Sequence, residues 1–387
     1  MIFDKELIEN RALTEHACAM HEPYAEIIGD AAAGMSVRTG AVVREDGSVA
    51  FRVYAPETKQ ACVTLTSFAD VKVELEKDES GVFFGVLPYE ERFKGPQDVK
   101  FWLDGTVYLH PRMPAHFRSY NLVNVVEFPD PESEMILLRD VPHGQVVREV
   151  YFSHAFNTWM RCMVYLPPQY RKGGEYPVLY LQHGMSENES EWIHMGKMPY
   201  IMDNLIADGK AAPFIVVTND GMQRNPGEGA VDFASFESTL LRDCMPMIEE
   251  NYRVKTDKHS RAFAGLSMGS MMSSVIGLTH PELFGSLGLF SGFMRTWMNP
   301  EPDFAKHAHL VPIVENPGYI AENYDIFFRS IGSHDGLKAV YDGDTAQVEA
   351  LGCGKFEGYH TRIYEGLTHD WGAFRRGFRD FAQLIFK

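Results

Sequence analysis

The chain has 387 residues, 45% hydrophobic and 23% charged, a composition typical of a globular protein with room for two or three domains. Its net charge of −17 at pH 7 argues against nucleic acid and anionic membrane surfaces as partners. There is no run of about 18 apolar residues, so no membrane-spanning helix is predicted.

The N-terminal stretch MIFDKELIENRALTEHACAM lacks the basic start and apolar core of a secretory signal. We read residues 1–36 as a short, helical lead-in. The five cysteines are scattered and form no C-x-x-C pair, which indicates reduced thiols and excludes a zinc site of that kind. We therefore expect a cytoplasmic protein without a disulfide framework.

Residues 37–110 carry closely spaced strand patterns, among them VAFRVYAP, QACVTLTS and VKFWLDGTVYLHP. Several short strands with regular turns predict a small all-β, Ig-like sandwich domain. Residues 111–145 are poor in pattern and contain five prolines, so we predict a linker packed along the surface.

From residue 146 onward, buried apolar runs such as YPVLYLQHG and APFIVVTNDG alternate with stretches of helical spacing. This alternation predicts an α/β domain over 146–387, built on a doubly wound, mostly parallel sheet. The last strand is HTRIYEG, and the last amphipathic helix is GAFRRGFRDFAQLIF.

The stretch RAFAGLSMGS contains the spacing G-x-S-x-G around Ser267. A short apolar strand precedes it and a helical pattern follows, as at the nucleophile elbow of an α/β-hydrolase. Gly265 and Gly269 remove side chains that would clash across so sharp a turn. Ser267 is therefore the predicted nucleophile.

A serine nucleophile needs a base and an orienting acid, which in this fold follow it in the order acid, then histidine. Asp335 comes directly after the buried run DIFFRSIG, and His369 comes directly after the last strand. We predict these two as the acid and the base. The residues that compete for these roles are His334 and His183 as bases, and Asp370 and Asp325 as acids.

An oxyanion hole needs two backbone N–H donors. The first is predicted at Met268, directly after the nucleophile. The second is predicted at Met185, in the loop HGMSENESEW that follows the strand YPVLYLQ. No metal or cofactor is needed for this chemistry.

Five segments, VYLPPQY, HGMSENESEW, MIEENYRVKTDKHSRAFAGLSMGS, GSHDG and GLTHDW, together resemble the esterase-D and enterochelin-esterase-like α/β-hydrolases. This group includes feruloyl and acetyl-xylan esterases of carbohydrate esterase family 1. The resemblance implies the same triad, and it implies that Trp192 buttresses or lines the cleft. In one departure from the family pattern, the usual glycines after HG are replaced by MSENESE.

The segments VAFRVYAP and VKFWLDG resemble an N-terminal E-set or carbohydrate-binding-module-48-like domain. Such a domain could bind glycan, and a glycan-binding protein is the non-enzyme alternative. We favour a structural or cleft-shaping role for it.

The predicted function is hydrolysis of a carboxylic ester of a carbohydrate, with a hydroxycinnamoyl (feruloyl) ester first, an acetylated sugar second and a siderophore trilactone third. The expected partner is a small-molecule ester or an esterified oligosaccharide, and a homo-oligomer is allowed. The candidate substrate-binding residues are Trp192, Asp220, Met294, Trp297 and Trp371, with Met222 and Phe233 beside them.

Overall fold

The computed structural model describes residues 40–118, 121–223, 231–296, 299 and 301–387. The predicted lead-in, 1–36, lies outside these ranges. The described residues form two compact units, one of 40–138 with 370–372 and one of 139–369 with 373–387.

The first unit is entirely antiparallel, and its strands pair in the order β1-β2-β5-β4-β3-β6-β9-β8 with β7 against β6. Phe51 on β2 and Phe101 on β6 have ring centroids 5.9 Å apart. In a flat sheet four strand spacings, about 19 Å, would separate these strands, so the sheet curls around its core. The strands are β1 (Gly40–Val43), β2 (Val49–Tyr54), β3 (Ala61–Leu65), β4 (Phe68–Lys77), β5 (Val82–Leu87), β6 (Gly95–Leu103), β7 (Thr106–Tyr108), β8 (Ala115–Arg118) and β9 (Asn121–Phe128).

The structure differs from the predicted linker over 111–145. Strands β8 and β9 lie inside that interval, and β9 pairs with β6 from Gly95↔Phe128 to Val99↔Asn124. The sequence NLVNVVEF is buried from Asn124 to Phe128, so it completes the core. Pro114 precedes β8 and Pro129 follows β9, so the prolines that predicted a linker lie at the ends of these strands instead.

The second unit contains an eight-stranded sheet in the order β10-β11-β13-β12-β14-β15-β16-β17. Strands β10 and β11 run antiparallel, and β12 to β17 are parallel to one another. The predicted mostly parallel sheet is confirmed. The strands are β10 (Gln145–Ser153), β11 (Thr158–Leu166), β12 (Val178–Gln182), β13 (Ile215–Asn219), β14 (Arg261–Leu266), β15 (Ser286–Phe290), β16 (Ile326–Gly332) and β17 (Tyr359–Tyr364).

Helices cover both faces of this sheet. On β15, Leu289 joins the cluster that holds Met272, while the next residue, Phe290, packs on Phe381. Consecutive strand residues point to opposite faces, so the fold is doubly wound as predicted. The helices are α1 (Glu191–His194), α2 (Met198–Ala207), α3 (Phe233–Thr239), α4 (Met245–Asn251), α5 (Met268–Thr279), α6 (Val311–Glu315), α7 (Tyr319–Asn323), α8 (Lys338–Leu351) and α9 (Trp371–Ala382).

A π-helical turn spans Leu240–Cys244, and short 3-10 turns occur at Glu91–Phe93, Ser133–Ile136, Pro168–Lys172, Lys258–Ser260, Phe304–Lys306 and Ala308–Leu310. Over the ranges that the structure describes, no helix has the length and apolarity needed to cross a bilayer.

A buried charge network ties β16, α8 and the segment after β15 together. Asp344 on α8 is fully buried and accepts hydrogen bonds from Arg295 Nε at 2.6 Å and from the Met294 N–H at 2.7 Å. The buried guanidinium of Arg329 on β16 lies 3.9 Å from the same carboxylate. Arg329 also stacks on the ring of Tyr341, 4.3 Å from its centroid. The network fixes the chain where it leaves β15, next to the elbow.

We expect Asp344→Ala to lower the free energy of unfolding by about 3–5 kcal/mol, because it leaves buried guanidinium groups without their carboxylate. The matched control is Asp342→Ala on the same helix, which breaks an exposed pair with Lys338 and should cost less than about 1 kcal/mol. Urea unfolding followed by circular dichroism measures both. Equal losses in the two variants would contradict the role of the network.

Candidate active site

Ser267 lies between β14 and α5 with φ of +51° and ψ of −113°. An L-residue rarely adopts this backbone, and holding it there costs about 1–3 kcal/mol. The Ser267 N–H donates to the carbonyl oxygen of Phe290 at 2.9 Å, which anchors the turn to the neighbouring strand. The strand, sharp turn and helix are those of the predicted elbow.

The two glycines that flank Ser267 are required by main-chain contacts. A Cβ on Gly269 would lie 2.5 Å from the carbonyl oxygen of Gln182 and 2.6 Å from that of His183. A Cβ on Gly265 would collide with the backbone of Gly269. The start of α5 therefore packs directly against the end of β12, which brings Ser267 beside the loop that follows β12.

The predicted base and acid both reach Ser267 through hydrogen bonds. His369 Nε2 lies 3.0 Å from Ser267 Oγ, and His369 Nδ1 lies 2.9 Å from Asp335 Oδ2. The Asp335 side chain is fully buried, whereas that of His369 is 32% exposed. Asp335 Oδ1 also accepts the N–H of Leu337 at 2.8 Å. An acceptor on Nδ1 favours the tautomer in which Nε2 can take a proton from the serine.

The loops that carry Asp335 and His369 are fastened to each other. The N–H of Ser333 donates to Tyr364 O at 2.9 Å, and the N–H of His334 donates to Leu367 O at 2.9 Å. Ser333 Oγ accepts the N–H of Gly366 at 2.8 Å. These bonds hold the acid and the base as one assembly at the carboxyl ends of β16 and β17.

The competing residues have other partners. The side chain of Asp325 takes a hydrogen bond from His259, and Asp370 accepts the N–H of Gly372. His334 Nδ1 lies 3.0 Å from Ser333 Oγ. None of these side chains is hydrogen-bonded to Ser267, whose hydroxyl bonds to His369.

The loop after β12 forms a tight turn beside Ser267. Gly184 donates its N–H to Glu187 Oε2 at 2.9 Å, and the N–H of Glu187 donates back to Gly184 O at 3.4 Å. Since the Gly184 N–H is taken, the next N–H along the loop, that of Met185, remains the candidate second donor. Met268 is the first residue of α5, so its N–H has no acceptor within the helix. The Glu187 carboxylate is buried and holds this turn closed.

His183 is a structural bridge between two loops. Its Nδ1 lies 2.7 Å from Gly184 O, and its Nε2 accepts the N–H of Gly221 at 2.9 Å. Burial lowers the pKa of His183, although the charge of Asp220 opposes that shift. Burial therefore favours the neutral tautomer that makes both bonds.

The structure corrects three of the predicted substrate-binding residues. Trp192 is fully buried, donates from Nε1 to Gln182 O at 3.0 Å and packs on Phe290 and Phe378. Met294 is fully buried in the core, and Trp371 is 2% exposed and groups with the first unit. These aromatic and sulfur groups are therefore part of the interior and support the fold.

The remaining candidates differ in position. Asp220 is partly exposed and accepts the N–H of Met222 at 2.9 Å, while Met222 Sδ accepts the N–H of Ser186 at 3.2 Å. These residues therefore touch the loop that carries Met185. Phe233, at the start of α3, packs against the core. Trp297 lies outside the described residues.

Sequence reasoning missed several supporting groups. The ring of Phe374 lies edge-on against His369, with centroids 5.2 Å apart, and nothing in the sequence marked it. The bond from the Leu337 N–H to Asp335 is an Asx-type turn, which the sequence SHDGL could have suggested. Within the described ranges, no three His, Cys, Asp or Glu side chains are grouped to hold a metal ion.

Comparison with known proteins adds a family to this geometry. Residues 153–381 match the Esterase family model. An endo-1,4-beta-xylanase/feruloyl esterase from Xylanibacter ruminicola is 34% identical over 360 residues, which are 89% of this chain and 46% of that protein. The chain thus spans about half the length of this relative.

Two solved structures share the fold. A CE1 ferulic acid esterase from Anaeromyces mucronatus, in complex with ferulic acid, superposes with a TM-score of 0.55 at 22% identity, over 66% of this chain and 96% of that chain. An enterobactin esterase from Shigella flexneri superposes with a TM-score of 0.64 at 15% identity, over 87% of this chain and 92% of that chain.

We expect Gly269→Ala to lower kcat/KM about 100-fold or more, because its Cβ would push α5, and Ser267 with it, away from β12. The matched control is Gly336→Ala, next to Asp335, where a Cβ meets nothing within 4 Å. Esterase assays on both variants test this. Wild-type activity in Gly269→Ala would contradict the packing argument.

We expect Glu187→Ala to lower kcat about tenfold with little change in KM, since the loop loses its clamp while the donors themselves stay. Glu187→Gln keeps an acceptor for the Gly184 N–H and should recover most of the rate. Steady-state kinetics on both variants separate the two parameters. An equal loss in Ala and Gln variants would refute positioning through this bond.

Proposed function

The chain belongs to the Esterase family, and from this premise we propose that it hydrolyses carboxylic esters of carbohydrates through Ser267, His369 and Asp335. The observation that carries the proposal is the continuous chain of hydrogen bonds from Ser267 Oγ through His369 to Asp335, at 3.0 and 2.9 Å, on a strained elbow. This arrangement suits nucleophilic attack on an acyl carbon.

In the first half of the proposed reaction, Ser267 Oγ attacks the ester carbonyl carbon while His369 Nε2 takes the serine proton. The tetrahedral oxyanion accepts hydrogen bonds from the N–H groups of Met268 and Met185. The bond to the alkoxy oxygen then breaks, and His369 returns the proton to the leaving alcohol. Asp335 stabilises the imidazolium that exists between these steps.

In the second half, water attacks the acyl-Ser267 ester and gives its proton to His369 Nε2. A second oxyanion forms against the same two N–H groups. Collapse breaks the acyl–Oγ bond, releases the carboxylic acid and restores the Ser267 hydroxyl with the proton from His369. One ester and one water give one acid and one alcohol.

The proposed acyl group is hydroxycinnamoyl, as in a feruloyl ester of xylan. The 34% identical relative, named a xylanase/feruloyl esterase, supports it. The predicted aromatic wall does not, because Trp192 and Trp371 are buried. An acetylated sugar is the second candidate, since nothing in the clamped loop from Gly184 to Glu187 selects a large acyl group.

The test compares methyl ferulate with an acetylated xylo-oligosaccharide. We expect kcat/KM to be higher for methyl ferulate by about tenfold or more, as apolar contacts with the larger acyl group would supply. Ser267→Ala and His369→Ala should each lower kcat about 10⁴-fold or more on either substrate. His334→Ala, which alters the competing histidine, should keep the activity.

Unfolding midpoints of these variants, measured by circular dichroism, check that each one folds. Folded Ser267→Ala protein with normal turnover would disprove the mechanism. A higher kcat/KM on the acetyl ester would be consistent with the mechanism but would contradict the proposed hydroxycinnamoyl group in favour of acetyl.

A further inference from the structure

Trp159 is the most exposed large hydrophobic side chain among the described residues, with 69% of its surface open to solvent. Its ring lies edge-on against Phe152, its partner across β10 and β11, with centroids 5.5 Å apart. The rings of Phe152 and His154 also lie edge-on, with centroids 5.4 Å apart. We call these three residues the aromatic row. A contiguous group of exposed rings, unlike a single exposed one, can mark a binding surface.

The strand register places the aromatic row at the same edge of the sheet as Ser267. Val164, Val217, Tyr180 and Phe263 form one row across β11, β13, β12 and β14. Ser267 lies four residues beyond that row along the direction of β14. Trp159 lies five residues before Val164 on β11, and because β11 runs antiparallel to β14, this displaces it toward the same end of the sheet. The two displacements from the row are about 13 Å for Ser267 and about 17 Å for Trp159. Three strand spacings, about 14 Å, separate their strands laterally.

A line of ion-pair and main-chain contacts connects the two places. Arg161, two residues after Trp159 on the same face of β11, pairs through Nε with Glu189 Oε1 at 3.1 Å. The Glu189 backbone is held by Thr218 Oγ1, which donates to its carbonyl oxygen at 2.6 Å. Glu189 ends the same loop that carries Met185 beside the nucleophile. Through the Arg161–Glu189 pair, the loop beside Ser267 is tied to the strand that carries Trp159.

The aromatic row is also held in place. His154 donates its N–H to Asp243 Oδ2 at 2.9 Å, and its Nδ1 lies 2.7 Å from Asp243 Oδ1. The Asp243 side chain is only 5% exposed, so a buried carboxylate holds the imidazole of His154 in place. The His154 side chain itself is 81% exposed. The exposed indole face of Trp159, in one row with the fixed polar ring of His154, matches a ligand with one apolar face and a polar rim.

We propose that the aromatic row is a distal subsite for the sugar chain of the ester substrate, with a pyranose ring stacked on Trp159. This rests on the proposed function, in which the alcohol of the ester is a carbohydrate. A sugar ring presents C–H groups on its face and hydroxyls on its rim, and a short oligosaccharide spans the distance to Ser267.

A second copy of the chain fits this surface less well. Stable protein interfaces bury about 800 Å² on each partner, far more than three rings offer. A net charge of −17 also makes copies repel one another.

The test compares Trp159→Ala with wild type on methyl ferulate and on a feruloylated arabinoxylo-trisaccharide. We expect the loss of kcat/KM in the variant to be about tenfold larger on the trisaccharide than on the methyl ester. This extra loss should come from a higher KM, with kcat unchanged. Trp159→Phe should recover most of it. The control is Ile363→Ala, which removes another exposed apolar side chain from β17, the outermost strand on the side of the sheet away from β10 and β11. We expect it to leave kcat/KM unchanged on both substrates.

Calorimetric titration with unesterified xylohexaose separates this inference from the proposed function, because it needs no turnover. If the wild-type protein binds xylohexaose and Trp159→Ala does not, the result supports the subsite, even if feruloyl esters are not cleaved. Equal losses on both substrates, or no binding of xylohexaose, overturn it. So does a concentration-dependent dimer that Trp159→Ala dissociates, which would assign the surface to a second copy.

Discussion

The close approach of α5 to β12 is the constraint on which the rest of the site depends. The main chain of α5 lies against that of β12 there, with no room for a Cβ at Gly269, and a Cβ at Gly265 on β14 would collide with the same start of α5. That contact sets the direction of Ser267, and it also sets the loop after β12 against the nucleophile. The positions of both candidate oxyanion donors, at Met268 and Met185, therefore depend on the lack of side chains at Gly265 and Gly269.

The acid and base are organised by a different principle. Asp335 and His369 follow adjacent parallel strands, and their loops exchange hydrogen bonds through Ser333, Gly366 and Leu367. The strand order brings them to the edge, while the cross-loop bonds fix their separation. The buried Asp335 beneath a partly exposed His369 leaves the imidazole edge toward Ser267 as the reactive side.

Much of this could be predicted from the sequence, because the elbow, the acid and the base each follow a buried apolar strand. The end of a buried strand is visible in the sequence pattern, and the carboxyl ends of parallel strands lie at the same edge of the sheet. The sequence therefore predicts that Ser267, Asp335 and His369 lie close together. Side-chain direction could not. Trp192 follows the same loop as Met185, yet its indole turns inward to Gln182, and no pattern in one sequence distinguishes the two outcomes.

The misread segment over 111–145 has a related cause. Strand β8 has only four residues, and prolines at 114 and 129 bound the segment that holds β8 and β9, so the proline content predicts a linker there. The pairing of β9 with β6, about 29 residues away in the chain, depends on contacts distant in sequence, and periodicity does not report such contacts. Predictions failed where tertiary contacts decide and succeeded where one strand carries its own signal.

The positive φ of Ser267 has an evolutionary consequence. A glycine at this position would adopt the same backbone without strain, so the substitution that relaxes the fold most simply also deletes the nucleophile. Stability and reactivity therefore compete at one side chain. Selection for stability alone would favour glycine there, whereas the proposed reaction requires the serine.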